Sequence, residues 1–249
     1  MQNSWTREQT IIALYLYCQI PFNKVSNNNL EIISKAKIIG RSTTSLKMKI
    51  GNFGSFDDNL KKKGTVGLTH TSKLDQAIWE EYNGRWDNLA IDATNILAEY
   101  SNKPIIDDIS AFPDGKDREQ VVKRRIGQSF FRNMVLSAYN NRCCITGLSI
   151  INLLEASHII GWAEDERNRT NPQNGLALNV LFHKAYDANY LGITPKYKIK
   201  VSSKLFDDNI ADENTRNFIS HYNNKSIILP NRFLPNTEFL EQRYQSFLP

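Results

Sequence analysis

The residues that could do chemistry are concentrated in the second half of the chain. His158 lies within "LLEASHIIGW" (residues 153–162), at the end of a predicted strand. Asn174 follows sixteen residues later in a predicted turn, and His183 nine residues after that. Asp187 comes four positions after His183, so the two project from the same face of a predicted helix. Two ligands so placed can hold one cation, and His158 can face them across the intervening hairpin.

Short elements must position these side chains. From Cys143 onward the pattern predicts a brief strand in "CCITG", a second strand in "LLEASH", and a turn, strand and helix in "NPQNGLALNVLFHKAYDANYLGI". The last helix of that series should begin at about Val180. Before them, "DREQVVKRRIGQSFFRNMVLSAYNNRC" predicts one long helix. After them, "SIILP" is strand-like and an amphipathic helix starts at Thr237, which we interpret as packing surface.

These spaced elements resemble the HNH endonuclease family. The resemblance covers "RCCITG", "LLEASHIIGW" and "RTNPQNGLALNVLFHKAYDANYLGI", and is strongest over residues 143–193. More narrowly, it is similar to the subgroup found in bacterial restriction-type endonucleases. The resemblance implies an α+β fold whose C-terminal part is a ββα-metal unit, in which a two-stranded hairpin with a long loop is closed by a helix. It also implies metal-dependent hydrolysis of phosphodiester bonds in DNA.

The same resemblance implies a role for each polar residue. His158 matches the general base, and a neutral imidazole with a pKa near 6.5 suits the removal of a proton from the attacking water. Asn174 matches the asparagine whose amide binds the loop backbone and so orients His158. His183 matches a metal ligand on the helix. Asp187 stands where some members have a further histidine, and a carboxylate there favours Mg²⁺ or Mn²⁺ over zinc.

One position departs from the family pattern. Many HNH proteins place Asp or His immediately before the general base, whereas this chain has Ser157, a poor ligand when neutral. Glu155 shares a strand face with Ser157 by parity and could accept a hydrogen bond from bound water or reach a phosphate-binding base. Arg169 in the loop could bind phosphate or simply be solvated. No structural zinc is expected, because the CxxC pairs that brace some HNH domains are missing from the sequence.

Positive charge is concentrated at the N-terminal end. The net charge of the chain is +5, but residues 1–73 hold eleven Lys or Arg and four Asp or Glu, and so carry +7, whereas the remainder carries −2. This distribution favours contact between the first third and a polyanion. The alternative is that the lysines only increase solubility.

Three short helices are predicted in this basic segment. The first follows Ser4 as a possible N-cap, the second runs from about Leu30 and is stopped by Gly40, and the third runs from about Thr43 to Asn52. The opening Trp-Thr-x-Glu resembles Myb-like three-helix DNA-binding domains, and the arrangement suits a helix-turn-helix. A helical subdomain that only packs on the rest is the alternative. The residues predicted to contact DNA are Arg41, Ser45, Lys47 and Lys49.

The predicted organisation has three parts. Residues 1–58 form a three-helix, helix-turn-helix-like DNA-binding region, residues 59–115 a helical connector, and residues 116–249 an HNH nuclease domain with a C-terminal packing extension. The connector should include a helix broken near Asn83–Gly84.

The function expected from these patterns is a metal-dependent DNA endonuclease of bacterial restriction or defence. Its partner would be double-stranded DNA, and a homodimer is expected because one ββα unit cuts one strand. A polar N-terminus, no apolar run of membrane-spanning length and unpaired cysteines favour a cytoplasmic protein without a membrane partner. Two alternatives stay open: a non-specific toxin or ligand-regulated effector nuclease, and a catalytically inactive DNA-binding regulator, which Ser157 suggests.

Overall fold

A computed structural model describes residues 4–62, 71–102, 116–207 and 211–247. The chain divides into two compact units, residues 1–138 and 139–249. In the described residues the first unit is helical, and the two small two-stranded sheets both lie in the second. The architecture is therefore mixed, with more helix than strand.

The first unit is built around its first helix. This helix, α1 (Arg7–Gln19), packs against α3 (Thr43–Phe53), α5 (Lys73–Tyr82), α6 (Trp86–Ser101) and α7 (Lys116–Ala138). From Gln9 onward α1 is buried on nearly all sides, including the polar Gln9 and Thr10. An amphipathic surface helix would bury a single stripe instead. The helices are α1 Arg7–Gln19, α2 Leu30–Ile38, α3 Thr43–Phe53, α4 Asp58–Lys62, α5 Lys73–Tyr82, α6 Trp86–Ser101 and α7 Lys116–Ala138.

Capping residues and glycines in the sequence explain where several of these helices begin and end. Gly40 adopts a left-handed φ of 67° just beyond α2, which confirms it as the stop. The predicted break near Asn83–Gly84 is confirmed by the gap between α5 and α6. The prediction of Ser4 as the first cap was wrong. Thr6 caps α1, because Gln9 at the third helical position completes a reciprocal pair of hydrogen bonds with it.

In its described residues, the second unit contains strands β1 (Leu154–His158) and β2 (Gly175–Asn179), a second pair of strands, and three α-helices, of which α8 (Val180–Asp187) is the first. β1 and β2 are antiparallel, with Leu154 opposite Asn179 and His158 opposite Gly175. α8 begins directly after β2, is capped by the Asn179 side chain, and packs on both strands. The elements are β1 Leu154–His158, β2 Gly175–Asn179, α8 Val180–Asp187, β3 Leu191–Ile193, β4 Ile199–Val201, α9 Glu213–Ser220 and α10 Thr237–Ser246.

Some of the smaller elements differ from the predictions. "CCITG" is a turn rather than a strand, with Gly147 at a φ of 74°. Cys144 nevertheless makes strand-like backbone bonds, donating to the Ala177 carbonyl and accepting from the Ile228 amide. The β3–β4 hairpin and α9 were not predicted. The helix predicted from Thr237 is confirmed as α10.

α10 packs against β3 at a glycine. A Cβ built on Gly192 would lie 2.6 Å from Cδ1 of the buried Phe247. We expect Gly192→Ala to destabilise the protein by about 1–3 kcal/mol, because it overpacks this contact. Urea unfolding of the variant measures the loss. Adding Phe247→Leu to Gly192→Ala should restore part of it, and an unchanged unfolding midpoint for Gly192→Ala would contradict the contact.

Across the described residues, no helix combines the length and the apolar character needed to cross a bilayer.

Candidate active site

His158 is held by the carbonyl of a residue in the long loop. Its Nε2 lies 2.9 Å from the carbonyl oxygen of Arg169. A carbonyl only accepts hydrogen bonds, so in the neutral ring Nε2 carries the proton and Nδ1 carries the lone pair. The edge of the ring also meets the Trp162 indole, with centroids 5.6 Å apart at 86°. The imidazole is therefore fixed in one tautomer.

Burial lowers the pKa of His158 from its ordinary value. The hydrogen bond to the Arg169 carbonyl acts in the opposite direction and raises it. Two further groups act on this pKa across space: the His183 imidazole lowers it and the Asp187 carboxylate raises it. The net effect is a lowered pKa, so the ring is neutral at neutral pH and can accept a proton.

Asn174 connects both ends of the loop between the strands. Its side chain is fully buried, and its Nδ2 donates to the carbonyls of Ile160 at 3.0 Å and Asn168 at 3.2 Å. Its Oδ1 accepts from the Ile160 amide at 2.8 Å. Ile160 lies just after His158, and Asn168 just before Arg169. The amide thus binds the loop backbone at one point close to the histidine and at another next to its carbonyl partner.

His183 lies between two carboxylates. Its Nδ1 contacts Oε2 of Glu155 on β1, and its Nε2 lies 3.3 Å from Oδ2 of Asp187, one turn along α8. The side chain of His183 is 18% exposed, whereas those of Glu155 and Asp187 are 40% and 51% exposed. The two carboxylates therefore bring negative charge to a site that is open to solvent on the Asp187 side.

The pair of His183 and Asp187 fits one divalent cation. Two ligands about 2.1 Å from an ion and at right angles to each other are roughly 3 Å apart, close to the 3.3 Å observed between Nε2 and Oδ2. Within the described ranges, no three His, Cys, Asp or Glu side chains gather as a metal-binding group. The described residues thus offer two donors at this place, His183 and Asp187.

Glu155 contacts the second ring nitrogen of the candidate metal ligand. A carboxylate in this position fixes the tautomer and orientation of a ligating histidine and increases its basicity. Sequence reasoning singled out Glu155 but assigned it to water or a phosphate-binding base. Its contact with His183 depends on how β1 lies under α8, which parity along one strand does not reveal.

Ser157 and Arg169 take structural positions. Ser157 is fully buried, and its hydroxyl lies 3.4 Å from the His158 carbonyl. The Arg169 guanidinium donates to the Trp162 carbonyl at 2.7 Å, pairs with Glu166 at 3.0 Å, and lies over the Trp162 ring. The loop therefore uses Arg169 as a brace.

Two residues near the site were missed by sequence reasoning. Trp162 contacts both His158 and Arg169, and its place within the quoted "HIIGW" was the available signal. Arg243 on α10 donates to the Tyr186 carbonyl at 2.8 Å and the Asp187 carbonyl at 3.4 Å, which supports the C-terminal end of α8. No local pattern points to Arg243, because it lies 56 residues after Asp187.

Of the four residues predicted to contact DNA in the first unit, two are partly exposed and two are bound to other residues of that unit. Ser45 and Lys47 are partly exposed on α3. Arg41 is bound to Gln9 and to the Ser4 carbonyl.

Lys49 requires a correction. Its side chain is 6% exposed, and its ammonium lies 2.6 Å from the fully buried Asp75 and over the Trp5 ring. Removing such a charge from its partner is costly, so Lys49 belongs to the core and we leave it out of any DNA-contacting surface.

Comparison with known protein families identifies part of this unit. A model of the family described as HNH endonuclease matches residues 143–194, about a fifth of the chain. A search of curated proteins found no match. The matched segment includes β1, the long loop, β2 and α8, and thus His158, Asn174, His183 and Asp187. Residues 143–194 therefore form an HNH endonuclease domain, which indicates a nuclease.

Proposed function

We propose that the protein is a metal-dependent DNA endonuclease that hydrolyses phosphodiester bonds, with β1, the loop, β2 and α8 acting as a ββα-metal unit. One observation carries the proposal. The neutral, oriented His158 is close enough to His183 and Asp187 for both groups to act on its pKa. The donor atoms of His183 and Asp187 are spaced to share one cation. This arrangement is found in the segment that matches the HNH family.

The side chains divide the work of hydrolysis. Nδ1 of His158 takes a proton from the attacking water, and the Arg169 carbonyl stabilises the charge that the ring gains through Nε2. Asn174 holds the loop so that this pair stays aligned. His183 and Asp187 would hold Mg²⁺ or Mn²⁺, and such an ion would supply positive charge to stabilise the negative charge that develops on the phosphate during hydrolysis. Glu155 orients His183 from behind.

The wider setting follows from the family resemblance and is part of the proposal. We place the protein in bacterial restriction or defence, in the cytoplasm, with double-stranded DNA as substrate. A homodimer would let two units cut both strands. Arg41, Ser45 and Lys47 remain proposed DNA contacts of the basic N-terminal unit. The catalytically inactive DNA-binding regulator, which Ser157 suggests, is the alternative that plasmid digestion distinguishes from the nuclease.

Plasmid digestion tests the proposal. Incubation of the protein with supercoiled DNA and Mg²⁺ or Mn²⁺ should yield nicked and linear forms, and EDTA should prevent both. Discrete fragments would support site-specific restriction, whereas a smear would support a non-specific nuclease. Plasmid that stays supercoiled with either metal while the protein binds it would contradict the enzymatic function.

The pH dependence of cleavage follows from the environment of His158. Because burial lowers the pKa of this imidazole, it stays neutral, and able to accept a proton, to a lower pH than an exposed histidine. We expect cleavage rates to fall on acidification with a midpoint below the ordinary imidazole value of about 6.5.

Initial rates across the acidic range, repeated at several metal concentrations, measure this midpoint. If the fall in rate came from protonation of a metal ligand, its midpoint would shift with metal concentration. A midpoint set by protonation of His158 would not. A midpoint above about 6.5 that is independent of metal would contradict the assignment.

A further inference from the structure

A second basic surface lies in the unit of residues 139–249, which holds twelve Lys or Arg and eleven Asp or Glu and so carries a net charge of only +1. Residues 188–206 contain four lysines and no aspartate or glutamate. Three of the lysines, Lys196, Lys198 and Lys200, alternate along the turn and strand that lead through β4. Lys198 and Lys200 are alternate residues of an extended segment and point to one face, and Lys196 in the turn lines the same cleft as these two.

The three lysines line one cleft between the β3–β4 hairpin and α10. Its volume is about 610 Å³. Thr194, Pro195 and Asn224 also line it, and Glu241 and Tyr244 are contributed by α10. We call this space the lysine cleft. It is large enough for a segment of an extended ligand and carries three positive charges against one negative charge.

The hairpin that carries the lysines is held in a defined shape. The turn closes through hydrogen bonds from the Tyr197 amide to the Thr194 carbonyl and from the Thr194 amide to the Lys198 carbonyl, both 2.8 Å. Tyr197 has a φ of 59°, a left-handed conformation that is strained for a tyrosine. Its hydroxyl donates to the Pro235 carbonyl at 3.0 Å, which fixes the turn against the segment before α10. The lysines are thus presented on a rigid support.

The charges of the cleft are available to a ligand. Within the described parts of the chain, neither Lys196 nor Lys198 lies within ion-pair distance of an acidic side chain. Both are exposed. Lys200 donates to Oδ1 of Asn224 at 2.7 Å, a neutral partner that leaves its charge uncompensated. Three like charges held together without acidic partners fit an anion with several negative groups.

We propose that the lysine cleft binds the phosphate backbone of the DNA that the site cuts; this rests on the proposed function. Alternate residues of an extended strand, such as Lys198 and Lys200, are about 6.8 Å apart, comparable with successive phosphates along one nucleic-acid strand. Lysines act as point charges and carry no base preference, so the cleft supplies affinity and register without reading sequence. The substrate is therefore held by the second unit itself as well as by any contact of the first.

DNA binding by matched variants tests the proposal. In a His158→Ala background without metal, fluorescence anisotropy measures the affinity for a labelled duplex as a function of salt. Lys196→Gln/Lys198→Gln removes two charges from the cleft, and Lys204→Gln/Lys225→Gln removes two from elsewhere in the same unit. Only the cleft variant should reduce the slope of log affinity against log salt, by roughly 1.8, since each phosphate contact contributes about 0.9. At 0.1 M salt its affinity should fall roughly ten- to fiftyfold.

Two further measurements distinguish other outcomes. Glu241→Gln removes the single acidic group among the residues named for the cleft and should tighten duplex binding. Inorganic triphosphate at micromolar concentration should not displace the duplex. If triphosphate displaces the duplex and the two double variants have equal salt slopes, the cleft binds a small anion and the proposal is overturned.

Cleavage assays separate this proposal from the proposed function. With His158 intact, the cleft variant should raise the KM for plasmid and leave kcat nearly unchanged. Equal KM and salt slopes for both double variants would overturn the lysine cleft while cleavage remains. The unaltered protein could also fail to cleave DNA while the salt slope still depends on the lysines. That result would overturn the nuclease function and leave the cleft as a DNA-binding surface.

Discussion

Replacement of His158 by alanine should lower the rate of plasmid cleavage by about 10²- to 10⁴-fold, the usual contribution of a general base. The reason is local. Nδ1 carries the lone pair because Nε2 is bound to the Arg169 carbonyl, and a buried, neutral ring accepts a proton readily. Alanine removes the acceptor and leaves the metal ligands in place. DNA affinity should therefore stay within about twofold of the original, since the phosphate contacts that dominate it are retained.

The control for this variant is a second histidine of the same unit. His221 is bound to Lys225 at 2.6 Å and contacts Tyr222, and His221→Ala should leave cleavage unchanged. Added imidazole should restore part of the activity of His158→Gly, because a diffusible base can replace the missing ring. If His158→Ala cleaves as fast as His221→Ala, another group removes the proton and the proposed mechanism fails.

The placement of three residues of the candidate site could be predicted because the signals for it are local. His183 and Asp187 are four residues apart, so any helix through them puts both on one face, and the structure shows their contact. The Asn-Gly turn at 174–175 ends the loop and starts β2, which brings Asn174 next to the strand end that carries His158. Residue type and spacing were sufficient to place these residues, whereas the role expected of Asn174 came from the family resemblance.

The contacts that could not be predicted join residues from distant elements. Glu155 and His183 are 28 residues apart and meet only because α8 lies across β1. Arg243 reaches α8 from a helix at the other end of the unit. β3 and β4 are three residues each, too short for periodicity to reveal them. The sequence therefore did not predict that Lys196, Lys198 and Lys200 lie together along this hairpin.

The same limit explains the N-terminal unit. Helix boundaries follow from caps and glycines and were predicted closely, as Thr43–Asn52 shows against the observed Thr43–Phe53. Whether a lysine on such a helix is exposed depends on the helix packed against it. α5 brings Asp75 onto Lys49, 26 residues away in sequence, and turns an expected DNA contact into a buried ion pair. Charge counted along a sequence therefore overstates the positive surface.

Replacement of His183 by alanine should reduce cleavage by more than about 10²-fold, since it removes one of the two side chains that would hold the cation. Glu155→Gln should have a different effect. Glutamine keeps the size of the side chain but removes the charge behind His183, so the ring becomes a weaker ligand without leaving its place. We expect the metal concentration for half-maximal activity to rise about 10- to 100-fold, with kcat largely recovered at high metal.

Metal titrations of activity measure both changes, and Glu213→Gln on the exposed face of α9 is the matched control. His183→Ala should not recover at any metal concentration, because only Asp187 would remain as a donor. If Glu155→Gln lowers kcat equally at all metal concentrations, the carboxylate acts on the substrate and not through His183. If both variants bind and use metal like the unaltered protein, the cation does not lie between His183 and Asp187, because the strength of its ligands would then have no effect on its affinity.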